Sequence, residues 1–217
     1  MNDFGEVMAH LWRGGAWANY WTPDTGRYYA SKRTGRQEEA HETMWFPVGR
    51  APQLPASWGG RNCYFGVHPC TAVPATYSNG APARPENVRS RLDHIAAVTG
   101  FFGEFDVKEH GSKPAIMAHL EALPLFPTAI VDSGGGLHAY WLVEETIAID
   151  AGNRDQLRPM QYAWVDLGRS DANAKDMARV LRIPGTFNRK PAYAPNYPTV
   201  RIVEGDMRRV FRLQDFD

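Results

Sequence analysis

Cysteine is scarce in this 217-residue chain, which has only Cys63 and Cys70. Two cysteines cannot staple a small secreted domain, so the fold has to come from a hydrophobic core. Hydrophobic residues are 43% of the chain, enough to build one. Excess charge is missing too: Lys plus Arg and Asp plus Glu number 24 each. Nucleic-acid-binding domains are often basic overall, so such a contact here must come from local clusters. Two clusters qualify, Arg27, Lys32, Arg33 and Arg36, and Arg179, Arg182, Arg189 and Lys190. Either could equally be a solvated face. No apolar run approaches the length of a membrane span. The first ten residues carry Asp3 and Glu6 and lack a basic-then-apolar leader, which predicts no signal peptide and a cytoplasmic location. None of the seven histidines lies two residues from another, which removes the paired His-x-His motif of a rolling-circle nickase. Cys63, His68 and Cys70 could supply three zinc ligands, but a structural site needs a fourth.

The aromatic content is uneven. Residues 1–60 hold five of the seven tryptophans, Trp12, Trp17, Trp21, Trp45 and Trp58. They are expected mostly in the core, although aromatics can also stack on bases. The pattern predicts a helix over Phe4–Trp12, a turn at Thr22–Gly26, and short strands over Met44–Val48 and Asn62–Val67. A proline-rich loop follows over Pro69–Pro85. Helical spacing of Val88, Leu92, Ile95 and Ala96 predicts a helix over Glu86–Val98, with Pro85 and Glu86 in its first turn. Beyond it come a strand over Phe101–Val107, a helix over Pro114–Leu123 and strands over Thr128–Asp132 and Leu137–Val143. Helices are expected near Arg158–Leu167 and from Asp171 to Leu181, then closing strands over Tyr197–Val203 and Arg209–Leu213. Helices and strands alternate irregularly, which suggests an α+β fold.

Three stretches carry chemistry. In Phe101-Phe102-Gly103-Glu104-Phe105-Asp106, strand periodicity puts the Glu104 and Asp106 carboxylates on one face and Phe105 on the other. Adjacent carboxylates repel unless a cation lies between them, and oxygen donors suit Mg²⁺ or Mn²⁺. An exposed strand with alternating acids would look the same. In Asp132-Ser133-Gly134-Gly135-Gly136-Leu137-His138, three glycines let backbone approach a ligand and aim N–H groups at phosphate. His138 leaves that loop on a strand, on the same face as Tyr140. In the third stretch Asp171 is followed by Arg179, Arg182, the Pro184-Gly185 turn and Lys190. An acid and spaced cations could hold an ion and phosphates, or simply decorate a helix.

Taken together, the stretches resemble the archaeo-eukaryotic primase (AEP) superfamily, whose members order an acid-hydrophobic-acid strand, a Ser-x-His motif and a later acid. Ser133 to Trp141 and Arg179 to Lys190 are similar to the phage and plasmid primase-polymerase branch. The resemblance covers about Phe101–Lys190. One departure is that Glu104 stands where Asp is usual. The resemblance implies a two-module core, an N-terminal α/β unit of about residues 1–100 packed on an RRM-like antiparallel sheet of about 101–217, with interleaving allowed. It implies template-directed nucleotidyl transfer in replication of a phage, plasmid or other mobile element. Catalytic and metal-holding residues would be Glu104, Asp106 and Asp171, with Asp176 as the fallback third acid. Two divalent ions, Mg²⁺ or Mn²⁺, would be the cofactors. Ser133, Gly135, His138, Arg182 and Lys190 would bind the nucleotide. The partners would be a single-stranded DNA template and primer, nucleoside triphosphates (dNTP or NTP) and a helicase on a separate chain. The alternative is a non-catalytic RRM-like module that binds single strands through sheet aromatics.

Overall fold

A computed structural model describes residues 4–30, 35–150 and 152–216. Lys32 and Arg33 of the first basic cluster, and Asp3 near the start, lie outside the described residues. The elements are α1 (Phe4–Leu11), β1 (Trp17–Thr22), β2 (Tyr28–Ala30), β3 (Gln37–Glu39), β4 (Glu42–Pro47), β5 (Tyr64–Gly66) and β6 (Ala97–Asp106). Then follow α2 (Val107–His110), α3 (Lys113–Glu121), β7 (Ala129–Asp132), β8 (Gly136–Ala148), α4 (Arg154–Leu167), β9 (Val180–Arg182) and β10 (Arg201–Gly205). The fold is α+β, with one antiparallel sheet in the order β4-β1-β5-β9 and a second in the order β10-β7-β8-β6. Strands β2 and β3 form a separate two-stranded ribbon. A division near residue 100 does not separate the sheets in sequence: β9, from the C-terminal half, completes the N-terminal sheet by pairing with β5.

Alternation along β6 builds the layers. Phe102, with Tyr140 and Leu142 from β8, enters a core shared with α1 and the first sheet through Phe4, Trp12, Tyr20 and Phe65. Phe101 and Phe105, with Leu137 and Trp141, enter the opposite core under α3 and α4. Both faces of the second sheet are therefore covered. Its aromatics Phe102 and Tyr140 are fully buried, so they cannot serve as the open stacking platform of an RRM.

Two expected helices are not formed. Residues 86–98 contain only the 3₁₀ turns Pro85–Asn87 and Leu92–His94 before β6 begins at Ala97. Tertiary partners take the carbonyls that a helix would use: Trp45 Nε1 donates to Pro85 O and Val88 O at 3.1 and 3.0 Å. The helical spacing of Val88, Leu92 and Ile95 is thus overridden, and β-branched Val98 and Thr99 continue as strand. After Asp171 there is one 3₁₀ turn, Ala172–Lys175, and then β9, whose Tyr64↔Arg182 and Phe65↔Leu181 register extends a sheet instead of a helix. Strand β10 starts at Arg201, later than expected. Near Arg209–Leu213 there is a single bridge from Phe211 to Val143, followed by a 3₁₀ turn over Leu213–Phe216. Among the described residues no helix is long and apolar enough to cross a membrane.

One buried group makes stability depend on pH. His68 is 1% exposed, faces the Phe102 ring at 5.8 Å, and neither of its nitrogens has a hydrogen-bond partner among the described residues. Burial pushes its pKa down to about 4. The unfolded chain takes up this proton near pH 6.5 and the folded chain does so only near its depressed value, so stability falls as pH drops through that window. His68→Phe removes the titration, and should gain roughly 2–3 kcal/mol relative to wild type on going from about pH 7.5 to about pH 4.5. Denaturant melts at the two pH values check this. A pH-independent difference between the two proteins would contradict a neutral buried His68.

Candidate active site

The pairing of β6 with β8 sets the register Glu104↔His138 and Asp106↔Gly136. Glu104, Asp106 and His138 therefore share the sheet face opposite Phe105, and all three line one cleft of about 330 Å³. Asp171 joins them although it lies in no strand. β6 is the edge of its sheet, and the chain after α4 pairs with that edge. The Asp171 N–H donates to Glu104 O at 2.7 Å, while Ser170 Oγ accepts from Glu104 N–H at 2.8 Å. Gln161, buried on α4, donates to Phe102 O and Ala174 O and fixes the helix against both. Asp176 points away: it is exposed, lies 3.7 Å from Arg89, and does not line the cleft.

The facing wall is basic. Arg179, Arg182 and Lys190 line the same cleft, with Lys108 at its rim near Asp106. Arg182 is buried; its guanidinium stacks over Tyr64 at 4.8 Å and donates to Asn62 Oδ1 at 2.5 Å. Asn62 also accepts from the Arg189 N–H through Oδ1, and its own N–H and Nδ2 donate to Asp24. Arg179 Nε donates to Glu104 Oε1 at 2.6 Å. Burial raises the Glu104 pKa and the Arg179 hydrogen bond opposes that rise. Burial alone would lower the Arg179 pKa, but the Glu104 contact outweighs it and raises it. Sequence reasoning left Asn62 and Asp24 out of the site, and placed Arg179 in the third stretch without giving it a role of its own. The signal for Asn62 and Asp24 was a polar residue directly before a buried strand and an acid in a Pro-Asp-Thr-Gly turn.

Each remaining carboxylate caps a turn with one oxygen. Asp106 Oδ1 accepts from Lys108 N–H at 3.0 Å and Asp171 Oδ1 from Asn173 N–H at 2.8 Å. Their second oxygens make no hydrogen bond among the described residues. Carboxylate oxygens on one wall are the donor chemistry of a hard divalent ion, so Asp106, Asp171 and Glu104 fit one. In the present geometry, with Glu104 drawn to Arg179, no three acidic, histidine or cysteine side chains among the described residues converge on a single point.

The glycine loop has a steric logic. Gly134 has φ +91°, and a Cβ there would crowd Pro198 and Asn188. A Cβ on Gly136 would overlap the Phe105 carbonyl across the β6–β8 pair. Ser133 donates its hydroxyl to Gly136 O at 3.1 Å, and Asn188 Nδ2 ties Ser133 O to the segment leading to Lys190 at 2.8 Å. His138 is neutral: burial first, then Arg182, Arg179 and Lys190, push its pKa down to about 3. Its Nδ1 is buried without a partner, and its Nε2 is 3.8 Å from Glu104.

A family profile for the RepB DNA-primase N-terminal domain matches residues 76–216. The chain belongs to the RepB DNA-primase N-terminal domain family. The match spans β6 to β10 with Glu104, Asp106, Ser133, Gly135, His138, Asp171, Arg179, Arg182 and Lys190, and leaves β1 to β5 outside, with Asp24, Asn62 and Tyr64. Among solved structures the RepB-family chain is similar to the AEP domain of the cyanophage S-2L primase-polymerase, with 14% identity and a TM-score of 0.54 over 99% of this chain and 96% of that one. It is also similar to the primase RepB′, with 14% identity and a TM-score of 0.50 over 92% of this chain and 55% of that one. At this identity the likeness is one of fold. No curated protein matches the sequence. Family and fold together make this a primase-type nucleotidyltransferase domain.

The glycines yield a direct test. Gly136→Ala should destabilise the domain by roughly 1–3 kcal/mol through overpacking and weaken nucleotide binding. Gly60→Ala should be near neutral, since a Cβ there meets nothing within 4 Å. Thermal melts and nucleotide titration of both variants decide. Equal stability would show that the β6–β8 end tolerates a side chain.

Proposed function

We propose that this domain is a template-directed primase-polymerase that joins nucleoside triphosphates along a single-stranded DNA template, making or extending primers for a phage, plasmid or other mobile element. The reading rests on one observation: three carboxylates on one wall of a cleft face three cations on the other. A nucleoside triphosphate with divalent cations has the complementary charge pattern. Asp106 and Asp171 would hold Mg²⁺ or Mn²⁺ through their uncommitted oxygens, together with Glu104. Two such ions, when bound, supply activation of a primer 3′-hydroxyl and neutralisation of phosphate charge.

The protein's own groups do the rest. Arg179 would leave Glu104 for a phosphate oxygen, which would free the Glu104 carboxylate to help hold a cation. Arg182 stays oriented by Tyr64 and Asn62, a preorganised fork for a phosphate. Lys190 adds a mobile point charge. His138, neutral, offers an N–H without adding charge. Gly135 lets the loop backbone come close. The Ser133 hydroxyl holds the turn and must leave Gly136 O to reach a ligand. Positioning and electrostatics of this kind supply most of the rate in phosphoryl-type transfer. A helicase would come from a separate chain.

Two outcomes follow. Asp106→Asn and Asp171→Asn should each lower primer extension by roughly 10²–10³-fold, as for loss of one group that stabilises transition-state charge, while the fold persists. Glu104→Asp should retain activity with a changed Mg²⁺/Mn²⁺ ratio, and Glu104→Gln should be nearly inactive with both. Primer extension with and without primer, with NTP and dNTP and with either ion, measures all of this; full activity of folded Asp106→Asn would sink the site.

His138→Ala should weaken nucleoside triphosphate binding far more than binding of single-stranded DNA. Equal losses in paired titrations would assign His138 to the core alone.

A further inference from the structure

The ribbon β2–β3 has no place in the chemistry above. It pairs only with itself, in the register Tyr28↔Glu39, Tyr29↔Glu38 and Ala30↔Gln37. An isolated two-stranded ribbon is marginal in water, and this one exposes the wrong residues for a passive loop. Successive strand residues point to opposite faces, so Tyr28 and Tyr29 put one aromatic on each face, 66% and 49% exposed. From Arg27 to Arg36 the sequence has four cations and no acid, in a chain of zero net charge. The acids of β3 are engaged locally: Glu38 accepts from the Tyr29 hydroxyl at 3.1 Å, and Glu39 from the Gly26 N–H at 2.6 Å.

The ribbon is rooted at the cleft. It extends from the end of the β1–β4 pair, where Thr22 meets Glu42. Trp21, one residue earlier, pairs with Tyr64, which pairs with Arg182. Asp24, in the turn that starts the ribbon, accepts from Asn62 N–H and Nδ2 at 2.7 and 2.6 Å. Asn62 in turn accepts from Arg182 and from the Arg189 N–H. The ribbon's base and the phosphate-facing arginine thus share one hydrogen-bonded bridge.

We propose that the β2–β3 ribbon is a contact for the single-stranded template, with Tyr28 stacking on a base and Arg27 meeting the sugar-phosphate backbone as the strand enters the cleft. Charge complementarity selects a polyanion, and an exposed tyrosine on a strand face selects unpaired bases, which alone offer free π-faces. The proposal rests on the primase reading for the word template, and on the ribbon alone for strand binding.

The test measures affinity for a fluorescent single-stranded oligonucleotide and for a blunt duplex of the same length. Tyr28→Val, which keeps β-branched strand propensity, should weaken single-strand binding by about tenfold, within the range for loss of one base stack. Tyr28→Trp should restore it. Arg27→Gln should lower the slope of log affinity against log salt by about 0.7, the value for one phosphate contact on a single strand. Nucleoside triphosphate binding should not change in any of them. Unchanged single-strand affinity in Tyr28→Val, or an equal loss on the duplex, would overturn the stacking role. An unchanged salt slope in Arg27→Gln would overturn the backbone contact. Primer extension by the wild type is read in parallel. Ribbon effects on binding with no extension would fail the primase reading and leave the ribbon standing; extension with no ribbon effect would do the reverse.

Discussion

Everything in the cleft depends on the antiparallel pairing of β6 with β8. That pairing sets Glu104 beside His138 and Asp106 beside Gly136, and it sends Phe101 and Phe105 into the opposite core. A one-residue slip of β6 would invert its faces, sending Glu104 and Asp106 under α3 and α4 and turning Phe105 into the cleft. The register is held at the cleft end by a glycine that no other residue can replace without meeting the Phe105 carbonyl. The free edge of β6 also captures Asp171 through Glu104's own backbone. Two acids come from a strand and the third from a turn docked on that strand, so the cleft is assembled from backbone hydrogen bonds before any side chain is considered.

The charges are then set against one another. Glu104 is desolvated enough for burial to raise its pKa, and Arg179 answers with a 2.6 Å contact. A buried ion pair of this kind is weak support for stability. Here both side chains also stay partly in reach of solvent, 19% exposed for Glu104 and 26% for Arg179. Arg182 is treated differently: Tyr64 and Asn62 hold it in place, so its orientation does not depend on an acid in the cleft. Arg179 is committed until a competitor appears, whereas Arg182 waits in position.

The α+β class was legible in the sequence, and so was the shared face of the candidate residues on β6 and β8. Glu104, Asp106, His138 and the glycine loop announced themselves because strand periodicity and turn chemistry are local. Asp171, with Asp176 as fallback, was what the resemblance implied; the docking of residues 170–171 on β6, which no local pattern encodes, is what brings Asp171 and not Asp176 into the cleft. The helices expected over Glu86–Val98 and Asp171–Leu181 failed for one shared reason. Their apolar spacing was right for a helix, but distant groups claimed the backbone: the Trp45 indole in the first case and the edge of β5 in the second. The pairing of Arg179 with Glu104, and Asn62 as a site residue, were invisible for the same cause, since Glu104 is 75 positions from the one and Arg182 120 positions from the other.

Net neutrality, which at first argues against a nucleic-acid partner, becomes intelligible in this geometry. A primase cleft has to hold cations as well as phosphates, so acids and bases must be present in like measure at the same place. The carboxylates of Glu104, Asp106 and Asp171 and the cations of Arg179, Arg182 and Lys190 nearly cancel in total while opposing each other across a few ångströms. One acid-free run with four cations is Arg27 to Arg36, and the turn that precedes it is bonded through Asp24 and Asn62 to Arg182. Total charge reports the sum of these two arrangements and neither of them singly, so for an enzyme whose substrate is a polyanion carried with its own cations, the distribution of charge is the informative quantity.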